Sequence, residues 1–299
     1  MKANERTFMK HLILLLSLLP CSAFAVTETL QTLAPKAGQN EFKGGIAYSH
    51  VSAEADLGGS ATSNQFVVPV SYFYGITTHH AVGVETYYLK NDSNFSKAGL
   101  SGSGETQDFG NIDITYKGNL DTESGTVYLE AGVSFPSEKY EFNSNDAQFS
   151  ASTGQTTVTL AAGYVQKLVD FTLGGIAAYD IAMEGDADID VGVFSDSGKV
   201  KGGSQVRFSF FGEVEGENHP NFSLTYARTY SRSFSSDTVS GTIDEDLEMF
   251  YANFSARMPV AERLEFIPTA GLATVMNQSD RNLEKYNMFT AAAQLRYLF

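Results

Sequence analysis

The chain has 299 residues, with 20 Lys+Arg against 35 Asp+Glu, a formal net charge of −15, one Cys and no Trp. So acidic a chain has little with which to neutralise phosphates, which excludes nucleic acid as a partner. Its single cysteine, Cys21, excludes disulfides and thiolate metal sites.

The first 25 residues read as a signal peptide. Lys2, Arg6 and Lys10 precede an apolar core at 12–19, Pro20 ends that core, and Ala23-Phe24-Ala25 supplies the small-x-small pattern after which signal peptidase cuts. The core is too short to span a bilayer as a helix. Pro20, directly before Cys21, disfavours lipid attachment at the cysteine. A mature chain starting at Val26 has 17 basic and 34 acidic residues, a charge of −17, and no cysteine. Residues 26–41 are expected to form a periplasmic N-terminal segment ahead of a barrel at 42–299.

From residue 42 onward about ten residues at a time alternate apolar with polar or small, each run ending in a turn rich in Gly, Asn, Asp and Ser. Period-2 alternation gives a strand two unlike faces. In 65–76, Phe66, Val68, Val70, Tyr72, Tyr74 and Ile76 stand opposite Gln65, Pro69 and Ser71. In 109–117, Ile112, Ile114 and Tyr116 oppose Asn111, Asp113, Thr115 and Lys117; in 126–135, Val127, Leu129, Ala131, Val133 and Phe135 oppose Thr126, Tyr128, Glu130 and Ser134. Runs 204–214 and 248–258 repeat the pattern. Twelve runs begin near 42, 65, 81, 109, 126, 157, 169, 204, 221, 248, 263 and 286.

The connections sort by parity. Those after odd runs are mostly long (55–64, 91–108, 137–156, 183–203, 231–247 and 277–285); those after even runs are short (77–80, 118–125, 167–168, 215–220 and 259–262). Long extracellular loops facing short periplasmic turns mark an outer-membrane barrel. A soluble sandwich has no reason for such sorting. The predicted fold is therefore all-β, a closed antiparallel transmembrane β-barrel of about twelve strands located in the cell outer membrane. Leu295, Tyr297 and Phe299 alternate to the last residue and resemble the C-terminal signal read by the barrel-assembly machinery. Outer-membrane lipid and lipopolysaccharide are the expected surroundings, with aromatic girdles from Tyr48, Tyr88, Tyr164, Tyr179, Tyr226 and Tyr297. Arg228 is the one clear charge on the outward face, placed near the outer rim where it can snorkel.

The inward set is charged: Lys43, Glu85, Asp113, Lys117, Glu130, Asp170, Asp180, Arg207, Glu213, Arg257, Arg263, Glu265 and Arg296. Glu85, Asp113, Lys117, Glu130, Arg207, Glu213, Arg257 and Arg296 are the candidate lumen residues for transport. Mixed signs fit a polar channel with transverse fields or a salt-bridged, packed interior. Twelve strands fall between the eight that side chains can fill and the sixteen or more of open porins, so any opening is expected to be narrow or plugged by loops or by 26–41.

Three motifs compete with transport. Asp186-Ala187-Asp188-Ile189-Asp190 resembles a calcium loop superficially, but Gly192 falls at position 7 and Ser197 stands where a bidentate Glu is required. His79, His80 and His219 are assigned to periplasmic turns and make no metal site; no cofactor is implied. His50-Val51-Ser52 resembles the His-x-Ser pairing of outer-membrane phospholipase and lipid A deacylase, with both side chains on one face of a strand near the outer leaflet. Ala53 follows where an Asn-like neighbour is expected, and no orienting Asn or acid is identifiable in an adjacent strand.

Residues 102–120 (GSGETQDFGNIDITYKGNL), 129–141 (LEAGVSFPSEKYE) and 152–168 (STGQTTVTLAAGYVQKL) together resemble the outer-membrane proteins encoded with the meta-pathway of phenol degradation. The likeness covers about the middle third of the mature chain and departs from the family pattern after Pro136, where Ser137 and Glu138 replace a glycine. It implies a barrel concerned with uptake of small, often aromatic or hydrophobic, compounds. The leading expectation is thus a non-enzymatic channel or uptake protein for small molecules working by passive diffusion. A closed structural or surface-interaction barrel, and a lipid hydrolase using His50 and Ser52, are the alternatives.

Overall fold

The computed structural model describes Pro35 and residues 38–299 except 56–58, 98–99, 144–147, 150, 191–194, 239, 245 and 277–282. The leader 1–25 and most of 26–41 lie outside the described residues. Among the described residues every regular element is a strand.

The wall is a meander in which each strand pairs antiparallel with the next. β1 (Asn40–Ala55), β2 (Gly59–Gly75) and β3 (His80–Lys97) pair along nearly their whole length. The outer half of β3 pairs with β4 (Leu100–Phe109) and its inner half with β5 (Ile112–Asp121), so these two fill one wall position. The break falls at Gly110, where the Tyr87 ring lies so close that a Cβ would sit 1.8 Å from it. β6 (Thr126–Phe135) follows, and β7 (Tyr140–Asn143) and β8 (Gln148–Phe149) leave the wall. β9 (Thr157–Lys167) and β10 (Phe171–Ala182) rejoin it, while β11 (Gly185–Asp190) and β12 (Ser195–Gly202) leave again. β13 (Gln205–Val214) and β14 (Pro220–Thr229) precede a third excursion, β15 (Arg232–Ser235) and β16 (Ser240–Asp244). β17 (Leu247–Ala256) and β18 (Met258–Ala261) pair in succession with β19 (Leu264–Val275), again sharing one position. β20 (Leu283–Leu298) pairs with both β19 and β1 and closes the ring.

Fourteen segments thus fill twelve wall positions. Closure leaves no unpaired edge, which a sheet in hydrocarbon requires. Side chains follow the expected parity: Phe66, Ile112, Leu129, Phe208 and Phe254 are exposed on the outer wall, whereas Gln65, Tyr128, Ser209, Asn253 and Ser255 are buried inside.

Two expectations about the connections are corrected. Segments 55–64 and 91–108 are strand over most of their length, because β1–β2 and β3–β4 extend past the membrane as ladders. Connections 137–156, 183–203 and 231–247 are not irregular either. Their strands assemble a second sheet in the order β16-β15-β12-β11-β7-β8, with β11 and β7 parallel. This sheet caps the extracellular mouth. Tyr140, Ala187, Ile189, Val200 and Phe234 on its underside join one apolar core with Val51, Ala61, Ala227, Met249, Val275 and Met288 on the lumenal face of the wall. Burial of such side chains contributes about 1.5–3 kcal/mol each.

Candidate functional site: the lumen and the outer rim

At the periplasmic end the inward positions carry a chain of ion pairs. Arg296 Nε donates to Glu41 Oε2 at 2.7 Å, and Lys43 Nζ lies 2.8 Å from Glu41 Oε1. The Arg296 Nη1 reaches Glu265 at 3.0 Å, Arg257 Nη1 stands 3.6 Å from the same carboxylate, and Arg257 Nη2 donates to Glu213 at 2.8 Å. Lys117 Nζ sits 4.0 Å from the centroid of the Phe73 ring. These contacts link β1, β20, β19, β17 and β13 into one girdle. Glu41 and Glu213 are only 1 % and 3 % exposed, so each carboxylate depends on its partners to offset lost hydration.

Further out lies an acidic group. Glu85 and Asp113 face each other in the β3–β5 register, Glu130 accepts from the Tyr128 hydroxyl, and Asp180 accepts from Thr159 at 2.7 Å and from Arg207 Nε at 3.1 Å. The acidic group on β3, β5, β6 and β10 thus holds one bonded cation, Arg207, whereas the cations of the periplasmic girdle are interleaved with Glu41, Glu213 and Glu265.

All eight candidate lumen residues are therefore on the inner wall. Asp170 and Arg263 are not: both are exposed in turns, at 168–170 and 262–263. Alternation ends where the chain turns, so parity counted past the strand end misplaces them. Glu41 was missed, although the alternation of β1 extended by one step predicts it.

The lumen is not polar throughout. Its outer part is the apolar core shared with the cap. Segment 151–155 folds inward below it. Ala151 packs against Val67 and Leu89, its carbonyl accepts from Tyr87 Oη at 2.9 Å, and Ser152 donates to Asn111 at 2.9 Å. Gln155 Nε2 donates to the carbonyls of Met183 (2.8 Å) and Gly202 (3.0 Å), joining the root of the first excursion to both roots of the second. Gly154, Gly202 and Gly203 at those roots hold φ of 67°, 86° and 82°, the left-handed region that glycine accepts without strain.

On the outer wall Arg228 does face outward near the rim, paired with Asp246 at 2.8 Å and Glu248 at 3.4 Å. His50 and Ser52 face outward as well. Contrary to the sequence expectation, an orienting amide exists: Asn64 of β2 is the register partner of His50, and its Oδ1 lies 2.9 Å from His50 Nδ1. Sequence reasoning lacked the β1–β2 register that brings residues fourteen apart together. A hollow of about 500 Å³ over Ala131, Ala162 and Ala177 also opens on the outer wall, between Leu129, Leu160 and Phe208. Among the described residues no cluster of His, Cys, Asp or Glu suits a metal. Leu295, Tyr297 and Phe299 lie at the periplasmic end of the outer wall, Phe299 exchanging backbone hydrogen bonds with Asn40.

A closed twelve-position meander with an apolar outer wall, a charged inner one and long excursions at one end defines an outer-membrane β-barrel. Among solved structures the chain is similar to an outer-membrane channel from Pseudomonas putida F1, with 15% identity over 91% of this chain and 100% of that one and a TM-score of 0.63. It also aligns with a mutant of TodX, a monoaromatic hydrocarbon channel, at 9% identity over 90% of this chain and 91% of that one, with a TM-score of 0.48. No family model matches, and no curated protein matches. The likeness to the Pseudomonas putida channel supports the fold; the resemblance to the phenol meta-pathway proteins rests on its motif stretches alone.

Proposed function

We propose that this barrel is an outer-membrane channel for small molecules, passive and without a cofactor. The observation that carries the reading is the charged inner wall, an acidic group set further out than a girdle of ion pairs, beneath a cap sheet rooted on glycines. Below the apolar core on which the cap packs (Val51, Met249, Val275, Met288), the inner wall carries Glu85, Asp113, Glu130 and Arg207 and, nearer the periplasm, Lys117, Glu213, Arg257 and Arg296. A path lined with apolar as well as charged side chains suits solutes with a hydrophobic or aromatic part, in keeping with the phenol meta-pathway resemblance. The alternating end Leu295, Tyr297 and Phe299 serves recognition by the barrel-assembly machinery, and the paired rim charges face lipopolysaccharide.

Planar-bilayer recording tests the reading. Wild-type protein is expected to give small, steady currents, and Arg257→Ala is expected to shift selectivity toward cations by removing a positive charge from the girdle. A fully inserted barrel that passes no current would favour a second reading, a closed barrel whose cap is a surface module. That reading draws on the apolar core packed between cap and wall.

A further inference from the structure

We propose that Ser52, His50 and Asn64 form a hydrolytic site for membrane-lipid acyl esters on the outer wall of the barrel. The site is independent of the lumen and does not rest on the channel reading.

Three observations support it. First, the geometry orients a base. Asn64 Oδ1 accepts from Tyr48 Oη at 2.8 Å and stands 2.9 Å from His50 Nδ1. An amide oxygen only accepts, so Nδ1 carries the imidazole proton and Nε2 keeps its lone pair. Second, the strand brings the nucleophile to the base. Ser52 follows His50 by two residues on the same face, with Cα atoms about 7 Å apart, a separation within reach of the two side chains once a bound ester draws them together. In the registers Asn287 of β20 and Thr62 of β2 are the Cα partners of Ser52 on either side. Asn287, exposed on the same outward face at the level of Ser52, offers an amide N–H donor of the kind an oxyanion needs.

Third, the depth is that of an ester. Tyr48, Phe66 and Phe289 are exposed on the outer wall at the registers of Tyr48 and His50, an aromatic band of the kind that marks the hydrocarbon edge. Beyond Ser52, Lys285 and Glu54 pair at 3.1 Å, a polar level suited to headgroups. Acyl esters of membrane lipids lie between these two levels, and so do His50 and Ser52.

The reaction balances with water as the only co-reactant. His50 Nε2 takes the Ser52 Oγ proton as Oγ bonds to the ester carbonyl carbon, and the carbonyl electron pair moves onto oxygen. Collapse of that oxyanion breaks the bond to the lipid alcohol, which leaves with the proton from His50. Water, deprotonated by His50, then attacks the acyl-Ser52 ester. Fatty acid leaves, and Ser52 recovers its proton.

The test uses the full chain from Val26 to Phe299, refolded and checked by the altered gel mobility of intact barrels, in phosphatidylethanolamine vesicles and separately with lipid A. Release of fatty acid from either lipid is expected, and the arm that responds identifies its source. Ser52→Ala is expected to abolish release and His50→Ala to reduce it by a factor on the order of 10²–10⁴. Asn64→Ala is expected to lose activity that Asn64→Asp recovers. The Asp variant's pH–rate profile should move to higher pH, because a carboxylate beside Nδ1 raises the imidazole pKa. Labelling of Ser52 by a fluorophosphonate gives a readout free of lipid presentation. Absence of both release and labelling in the folded wild-type protein, or release unchanged in Ser52→Ala, would overturn the inference while leaving conductance unaffected.

Discussion

Glu41 bears more than any other residue of the girdle. It is 1 % exposed, yet both of its oxygens are engaged, one by Lys43 and the other by Arg296. Removing it leaves two buried cations on β1 and β20, the strands whose pairing closes the barrel. Breaking a buried pair costs about 3–5 kcal/mol, against at most about 1 kcal/mol for an exposed one. Glu41→Ala is therefore expected to lower the thermal midpoint of the detergent-solubilised barrel substantially, and Glu41→Ala with Arg296→Ala to cost less than the sum of the two singles. A loss under about 1 kcal/mol would show that water screens the girdle as it screens a surface pair. Arg296 was legible in the sequence because Leu295 and Tyr297 flank it on the apolar face. Asn64, in contrast, has no local signal, since only register places it on His50.

The excursions show where alternation is legible and where it misleads. Segment 185–190 reads as an acidic loop when its aspartates are counted, but Ala187 and Ile189 between them are the buried face of β11. Two apolar residues are too few to announce a strand, and the partner sheet that makes them one comes from distant parts of the chain. The cap's attachment carries a pH dependence of its own. Beyond β6, burial, together with a hydrogen bond to Asp108 and the charges of Asp108 and Glu141, pushes the Glu138 carboxyl up to about 8. The docked segment then holds a proton that the released one gives up above the ordinary 4.5. Linkage makes docking weaken as pH rises from about 4.5, with the whole contribution lost once pH passes about 8. Tryptic cleavage after the exposed Lys139 is accordingly expected to rise across that window in the wild-type protein relative to Glu138→Gln, whose neutral amide keeps the docked form. Equal cleavage in both at every pH would remove Glu138 from the latch.

At the scale of the whole molecule, what the sequence made legible was the path of the chain, because parity, loop length and a terminal strand all derive from one requirement, that a sheet in lipid closes on itself. What it could not show was the filling of the lumen, since an inward apolar residue under the cap and an outward one against lipid have the same chemistry and differ only in parity near strand ends. Val51 and Met288 are lumenal, Tyr48 and Phe289 lipid-facing, and each pair lies within a few residues. Orientation across the membrane follows from the same geometry and can be tested on cells, because the sequence has one cysteine, Cys21, and a Cys21→Ser background accepts single cysteines cleanly. Ser197 is exposed on the cap, and Thr78 is exposed in the short turn between β2 and β3 at the opposite end. Ser197→Cys is expected to react with a membrane-impermeant maleimide on intact cells, and Thr78→Cys only after the outer membrane is breached. Charge supplies a control: arginine in place of Leu160, exposed on the outer wall, should cost about 2–4 kcal/mol if that position faces the bilayer midplane. Labelling of Thr78→Cys on intact cells would invert the barrel and with it the direction of every gradient along the lumen.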